Sequence, residues 1–235
     1  GLLVCPFSVE LFVFSGASIS MVYLYFFNIN SYADLFIAYE NKRDYLKSVI
    51  NVLKRKGYEI KGGYDITMDS EIPIGKGMSS STTMVVVLVK MLLELVNADD
   101  REDAVKIAQL AFDAEVDEFN EPGGLMDHYT SALGGLVHLD FEEGTKVERI
   151  KKTIPGCFIL FDSLQRKNTT KVLAEAKEPV QEALKELEVT GVKSVRDFFY
   201  DADKSKYLDY LDKTKKYKLK ASIDNFRILQ KAEMM

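Results

Sequence analysis

A short loop rich in proline and glycine, followed by one long apolar run, constrains the fold of this chain most strongly. The loop reads Glu71-Ile-Pro-Ile-Gly-Lys-Gly77, and residues 79–96 predict a single helix. The helix contains the run MVVVLVKMLLELV, which is apolar on nearly every side and typical of a helix enclosed between other elements. The sequence therefore predicts a central helix with a glycine loop at its N-terminus.

The segments around this helix predict a mixture of helices and short strands. Further helices are predicted at 43–56, 102–119 and 125–133, then from Thr169 onward, at 200–217 and at 221–235. Strands are predicted at 3–5, 9–14, 21–27, 64–68, 136–141, 147–150 and 158–161, with a turn at Ser15-Gly16-Ala17-Ser18. A shift in composition near residues 145–155 predicts a boundary between an N-terminal α+β domain at 1–150 and a smaller C-terminal domain at 151–235.

Charge and composition exclude several classes of partner. Lys and Arg number 31 against 36 Asp and Glu, a net charge of −5, so no basic field exists that could hold a nucleic acid. Residues 11–32 carry no charge, but their β-branched and aromatic residues favour core strands over a membrane helix. We therefore expect a small-molecule substrate, no nucleic acid and no membrane; a homodimer is left open.

The two cysteines, Cys5 and Cys157, lie far apart and form no CxxC pair. This usage fits a reducing cytosol and argues against a zinc site. We expect both to be buried, inert thiols in a cytoplasmic protein.

The glycine loop has the composition of a phosphate-binding loop. Gly75 and Gly77 allow the backbone to approach a ligand, and the free N–H groups and dipole of the following helix favour an anion there. Ser79, Ser80 and Ser81 offer hydroxyls to phosphate or Mg²⁺, and Lys76 offers a positive charge. The alternative is that Ser79 only caps the helix, the glycines only form a turn, and Lys76 is a solvated surface residue.

The segment Pro73-xxx-Gly77-Met78-Ser79-Ser80-Ser81 resembles the second motif of the GHMP kinase superfamily, which includes galactokinase, homoserine kinase and mevalonate kinase. The resemblance implies that the loop wraps the phosphates of ATP. It implies that Ser81 reaches Mg²⁺ and that Ser80 lies beside the phosphates. The nucleotide-binding set that follows is Pro73, Gly75, Lys76, Gly77, Met78, Ser79, Ser80 and Ser81.

Two acidic residues form a second motif. Glu115 ends Ala111-Phe-Asp-Ala-Glu115, and Asp127 follows in Gly123-Gly-Leu-Met-Asp-His128. Phosphoryl transfer requires a cation on the phosphate oxygens and a group that orients or deprotonates the nucleophile, and two carboxylates could divide these tasks. Galactokinase-like sequences resemble this arrangement, which implies that Glu115 is a Mg²⁺ ligand and that Asp127 faces the accepting hydroxyl.

Each acidic residue also has a structural alternative. Glu115 could be a solvated helix residue, and Asp127 could be a carboxylate that complements a helix dipole. Three further residues, Gly124, His128 and Arg166, are candidates for substrate contact, although His128 could be a structural histidine and Arg166 a surface charge.

The resemblance implies the two-domain α+β GHMP kinase fold, with a ribosomal protein S5 domain 2-like N-terminal domain and a smaller, incomplete α+β C-terminal domain. It implies an ATP- and Mg²⁺-dependent kinase that acts on a hydroxyl of a sugar or related polyol. Two alternatives remain open: a mevalonate- or homoserine-kinase-like activity on a non-sugar alcohol, and a catalytically silent, ligand-binding regulator. The silent alternative is favoured by Ser8, which stands where galactokinases have an arginine that supports the catalytic aspartate.

Overall fold

The computed structural model describes residues 13–15, 18–20, 36–60, 66, 70, 72–141, 144–152, 155–157, 159–162, 164 and 169–234. The chain divides into two compact units, Gly1–Lys167 and Asn168–Met235. Helices combine with short antiparallel strand pairs, so the fold class is α+β. The domain boundary that the sequence predicts at residue 150 stays a prediction.

The first unit alternates strand pairs with helices. Its elements are β1 (Val13–Ser15), β2 (Ser18–Ser20), α1 (Tyr45–Arg55), α2 (Ser80–Leu95), α3 (Ala104–Glu115), α4 (Met126–Leu133), β3 (Val137–Asp140) and β4 (Lys146–Arg149). Strand β1 pairs antiparallel with β2, and β3 pairs antiparallel with β4. The first register joins Ser15 to Ser18, the first and last residues of the predicted turn.

Helix α2 lies in the core of this unit, as its apolar run predicts. It contacts α1, α3 and α4. Its fully buried side chains come from more than one face, which is why the run is apolar on nearly every side: Val85, Val86, Leu88, Val89, Leu92 and Leu93. Replacing a leucine in such a core by alanine costs about 2–5 kcal/mol. The position of the α2 N-terminus is thus fixed by packing along the whole helix.

Helix α3 is shorter than its apolar pattern predicts. The carboxylate of Asp103 accepts hydrogen bonds from the N–H groups of Val105 and Lys106, both 3.0 Å long, and this cap sets the start of the helix at Ala104. The helix ends at Glu115, and residues Asp117–Phe119 continue as a 3₁₀ turn. The carboxylate of Glu115 therefore lies on the last turn of α3.

The described residues of the second unit form helices and the turns that connect them, with no strand. It contains α5 (Thr169–Leu187), α6 (Asp197–Tyr200) and α7 (Lys213–Glu233), with 3₁₀ segments at Glu188–Thr190 and Ala202–Tyr210. Its core consists of Ala183, Leu187, Val192, Phe198, Leu211, Leu219 and Ile223. The α+β character predicted for the C-terminal domain stays a prediction.

Three expectations about local structure are wrong. Residues 200–217 do not form one helix, because Leu211 is extended and the side chain of Asp212 caps a new helix, α7. Residues 159–161 form no strand and expose their apolar side chains. Cys157 is exposed and not buried, because it follows Gly156 in an irregular segment.

Several other expectations fall on residues that lie outside the described part of the chain. They concern Cys5, Ser8, the strands at 3–5 and 21–27, and almost all of the strand at 64–68. Within the described residues, no helix combines the length and apolar character needed to cross a membrane.

Candidate functional site

The loop before α2 is an exposed turn. Pro73, Gly75, Gly77 and Met78 are all exposed, and Lys76 is half-buried. The two glycines have φ angles of +72° and +80°, in the left-handed region that side chains disfavour. A Cβ placed on Gly75 would meet no atom within 4 Å, so the backbone conformation and not crowding requires glycine there.

Ser79 joins this turn to α2 in an unusual conformation. Its φ of +52° and ψ of 36° lie in the left-handed region, which costs a residue other than glycine about 1–3 kcal/mol. Its side chain makes no capping hydrogen bond to the helix. The alternative in which Ser79 is a simple helix cap is therefore wrong, and the first N–H groups of α2 have no side-chain cap that would compete with an anion.

The hydroxyl of Ser79 instead contacts the acidic motif. Ser79 Oγ donates a hydrogen bond of 2.6 Å to Asp127 Oδ2, across 48 residues of sequence. Asp127 lies in the first turn of α4 and is half-buried. The glycine loop and the predicted acceptor-facing carboxylate are therefore adjacent.

The second carboxylate is buried beside a histidine. Glu115 and His128 are 6% and 2% exposed, which rules out a solvated Glu115. Glu115 Oε2 lies 2.9 Å from His128 Nε2, but the contact is poorly aligned, and among the described groups neither His128 nitrogen nor Glu115 Oε2 has a hydrogen-bond partner of good geometry. The two side chains are therefore in close contact without a well-aligned hydrogen bond.

The environment favours the ionised form of Glu115. Burial raises the pKa of this carboxyl group, but His128 and the hydroxyls of Ser81 and Thr82 outweigh burial and bring the pKa below its ordinary value. Ser81 from α2 and Glu115 from α3, which the sequence predicts as two ligands of one cation, are thus brought together.

Two residues that were not predicted from the sequence support this pair. Ser48 of α1 is fully buried, and its hydroxyl donates a 2.8 Å hydrogen bond to the carbonyl oxygen of Ala114, next to Glu115. The ring of Phe112 packs edge to face against the His128 ring, with the ring centroids 5.3 Å apart. A serine placed among the apolar residues of α1 was the only sequence signal for the first contact.

Lys76 contacts a residue far along the chain. Its Nζ atom lies 2.8 Å from Asp162 Oδ1, and the same oxygen accepts a hydrogen bond from the backbone N–H of Leu164. Lys76 and, to a smaller extent, this N–H lower the pKa of Asp162 from its ordinary value. Asp162 is not among the predicted site residues, although it belongs to the polar segment that contains Arg166.

The residues around Glu115 fit a magnesium ion. Carboxylate and hydroxyl oxygens are ligands that Mg²⁺ prefers, and Glu115 Oε2 is a buried carboxylate oxygen without a well-aligned donor. Within the described residues, no group of three or more His, Cys, Asp or Glu side chains could hold a metal ion. A cation at this site would thus combine few protein ligands with other oxygens, as Mg²⁺ commonly does with water and phosphate.

The predicted substrate residues have different positions. His128 is buried against Glu115 and is not open to a substrate from the described surface. Gly124 is exposed, and a Cβ there would meet no atom within 4 Å. Arg166 lies outside the described residues.

Comparison with known families identifies the domain that carries this site. Residues 44–135 match the family described as GHMP kinases N terminal domain. This range includes the glycine loop, Glu115 and Asp127. The resemblance to the GHMP kinase superfamily is thus confirmed, and the matched segment is similar to the N-terminal domain of these kinases.

Several curated relatives that match the chain are named as sugar kinases. A D-glycero-alpha-D-manno-heptose 7-phosphate kinase of Campylobacter jejuni is 28% identical over 50% of this chain and 35% of its own length. A galactokinase of Exiguobacterium sibiricum is 37% identical over 39% of this chain and 23% of its own. A galactokinase of Thermococcus kodakarensis is 27% identical over 67% of this chain and 45% of its own. The chain therefore spans less than half the length of these relatives.

Proposed function

We propose that the protein is an ATP- and Mg²⁺-dependent kinase that transfers the γ-phosphoryl group to a hydroxyl of a sugar or related polyol. We also propose that it has the two-domain GHMP kinase fold and acts in the cytoplasm. The sugar-kinase names of the matched relatives support the acceptor class.

One observation carries the proposal: the 2.6 Å hydrogen bond from Ser79 to Asp127. It brings a carboxylate to the edge of an exposed glycine loop at the uncapped N-terminus of α2. A phosphate held by that loop and a hydroxyl facing that carboxylate would be neighbours, which is the arrangement that phosphoryl transfer requires.

Several parts of the loop contribute to binding the phosphates of ATP. The N–H groups at the start of α2 and the Ser80 hydroxyl donate hydrogen bonds to phosphate oxygens, and the helix dipole adds a favourable field. Pro73, Gly75, Gly77 and Met78 shape the turn that surrounds them. Lys76 exchanges its contact with Asp162 for a phosphate oxygen, a small cost because both side chains are partly exposed.

Asp127 acts on the acceptor. Its carboxylate accepts a hydrogen bond from the acceptor hydroxyl, orients that oxygen toward the phosphorus atom and takes its proton as transfer proceeds. Glu115 and Ser81 hold Mg²⁺, which supplies positive charge to the phosphate oxygens when it is bound. His128 keeps Glu115 ionised and does not contact the acceptor.

A turnover screen tests the proposal. ADP release from MgATP is measured with hexoses, heptoses, heptose phosphates, polyols, mevalonate and homoserine as acceptors, and Asp127→Asn serves as the matched inactive variant. We expect turnover with a sugar or sugar phosphate that falls to background in the variant. Turnover with only mevalonate or homoserine would replace the sugar acceptor by a non-sugar alcohol.

Binding measurements distinguish a kinase from a catalytically silent regulator. Calorimetry with ATP and Mg²⁺ on the same preparation shows whether the loop binds nucleotide. A folded protein that binds ATP but turns over no acceptor would be the silent regulator. A folded protein that binds no ATP would leave the glycine loop as a turn without a ligand.

A further inference from the structure

We infer that Ser79 is the positioning residue for Asp127 and not one of the serines that bind the nucleotide; this inference rests on the proposed kinase function. The observations that carry it are the 2.6 Å hydrogen bond, the left-handed backbone of Ser79 and the missing cap bond. Together they show what the hydroxyl at the start of α2 does.

The first step concerns the number of hydrogens. A serine hydroxyl has one hydrogen to donate, and a carboxylate such as that of Asp127 accepts it. While Ser79 donates to Asp127, it has no second hydrogen for a phosphate oxygen. Ser80 and Ser81, which follow it on α2, keep the phosphate and metal roles.

The second step concerns the backbone. A serine in an ordinary capping position has an extended backbone and accepts hydrogen bonds from the first turn of its helix. Ser79 has a φ of +52° instead, and its side chain contacts Asp127 of α4 and not the first turn of α2. Backbone strain of this kind persists where the surrounding structure enforces it, commonly at functional sites.

The third step concerns rigidity. The carbonyl oxygen of Ser79 accepts hydrogen bonds from the Thr83 N–H, at 2.9 Å, and from the Thr83 hydroxyl, at 3.1 Å. The same Thr83 hydroxyl lies 3.5 Å from the Ser131 hydroxyl of α4. Ser79 is therefore fixed to α2, and its hydroxyl holds Asp127 at a set distance from the glycine loop.

A double-mutant cycle in turnover tests the inference. Ser79→Gly suits the left-handed backbone but removes the hydroxyl, and Asp127→Ala removes the acceptor of the hydrogen bond. We expect Ser79→Gly to lower kcat by about 10- to 100-fold, the effect of a misplaced reacting group, with the KM for ATP within about twofold. In the Asp127→Ala background the same substitution should change the residual kcat by less than about twofold.

Two further variants sharpen the cycle. Ser79→Asn keeps an amide donor and tolerates the left-handed backbone, so it should recover part of the lost kcat. Ser80→Ala removes a hydroxyl one residue along, and it should raise the KM for ATP equally in both backgrounds. A Ser79→Gly enzyme that lost ATP affinity, or lost the same factor of kcat with and without Asp127, would overturn the inference.

A cycle in stability keeps the inference separate from the proposed function. Urea unfolding of wild type, Ser79→Gly, Asp127→Ala and the double variant needs no turnover. We expect the double variant to be more stable than the sum of the two single losses predicts, because each single change already removes the shared hydrogen bond. Additive losses would overturn the Ser79–Asp127 link even if the enzyme were active, whereas a non-additive cycle in a protein without turnover would preserve the link and reject the kinase.

Discussion

The starts of α2 and α7 illustrate two ways to begin a helix. At α7, Asp212 accepts hydrogen bonds from the N–H groups of Thr214, at 2.8 Å, and Lys215, at 3.1 Å. At α2, Ser79 has a left-handed backbone, makes no cap and donates its hydroxyl to another helix. A capped start satisfies the helix internally, whereas the start of α2 leaves its first N–H groups available to a ligand.

The same contrast extends to the carboxylates of the two units. In the second unit, the exposed carboxylates of Glu182, Glu186 and Asp212 pair with Lys215 at the surface. In the first unit Glu115 is buried, and Asp127 is half-buried and contacts a hydroxyl. The buried Glu115 and the left-handed Ser79 thus depart from local rules of stability at the proposed site, as expected of functional residues.

The largest effect is expected when the carboxylate at the start of α4 is replaced by an amide, with the carboxylate at the start of α7 as the control. Asp127→Asn retains the size of the side chain but cannot take a proton, so kcat should fall by about 10²–10⁴-fold while the KM for ATP stays nearly constant. Asp212→Asn, at the start of α7, is the matched control and should leave kcat unchanged. Steady-state kinetics of ADP release check both, and equal kcat values in the two variants would break the comparison.

The next largest effect concerns metal binding. Glu115→Gln should weaken Mg²⁺ binding in the presence of a non-hydrolysable ATP analogue by at least about 10-fold, because a charged oxygen ligand is lost. Glu175→Gln, which alters an exposed carboxylate of α5, should have no effect. Titration calorimetry measures both.

Ser81→Ala tests whether Ser81 shares the same cation. It should also weaken Mg²⁺ binding, and its effect should be coupled to that of Glu115→Gln. Two losses of binding free energy that add without coupling would mean that Ser81 and Glu115 do not hold one ion. Circular dichroism of each variant controls for loss of the fold.

A smaller effect is expected where a helix start serves only stability. Asp103→Ala removes the two capping hydrogen bonds of α3 and should lower the free energy of unfolding by about 1 kcal/mol, without changing kcat. Asp103→Ser should recover most of the loss. Urea unfolding provides the measurement, and an unchanged midpoint in Asp103→Ala would show that the cap does not stabilise α3.

The smallest effect concerns the pH dependence of the stability of the second unit. The backbone N–H groups of Lys193 and Ser194 donate to Asp197 and hold its pKa below the ordinary value, with a further contribution from Lys204. A carboxyl group whose pKa is lower in the folded state stabilises the protein at pH values above its unfolded pKa of about 3.9. This stabilisation is lost as the pH falls through the pKa of the folded state. The stability difference between wild type and Asp197→Asn should thus be greatest near neutral pH and shrink below about pH 4.

Urea midpoints at a series of pH values measure this difference. Asp209→Asn, which alters an exposed carboxylate paired with Lys216, is a matched control for general charge effects. A difference between wild type and Asp197→Asn that grew as the pH fell would contradict the assigned direction of the pKa.

Local patterns were sufficient to predict the elements that carry the site. The apolar run predicted an enclosed α2, the Pro/Gly segment predicted the turn before it, and the helix of Asp127 was predicted within one residue of its observed start. These features depend on neighbouring residues, whose spacing the sequence displays directly. The carboxylates were found by resemblance and not by periodicity.

The contacts that define the site could not be predicted in the same way. The Ser79–Asp127 and Lys76–Asp162 contacts join residues 48 and 86 positions apart, and no local spacing reports such pairs. The break before α7 was missed because a lone Asp212 inside a charged segment resembles an ordinary solvated residue. The exposed Ile159 and Phe161 were misjudged because β propensity does not supply a strand partner.

The enclosure of α2 has a consequence for amide hydrogen exchange. Because α2 is packed against three helices, its central amides cannot reach solvent by a small local opening, and their exchange requires the unit to unfold. A ligand bound at the N-terminus of α2 would therefore slow exchange at Leu88 and Leu92, far from the loop, in proportion to its concentration over its dissociation constant. Deuterium uptake along one buried helix would thus report occupancy of the glycine loop without any acceptor present.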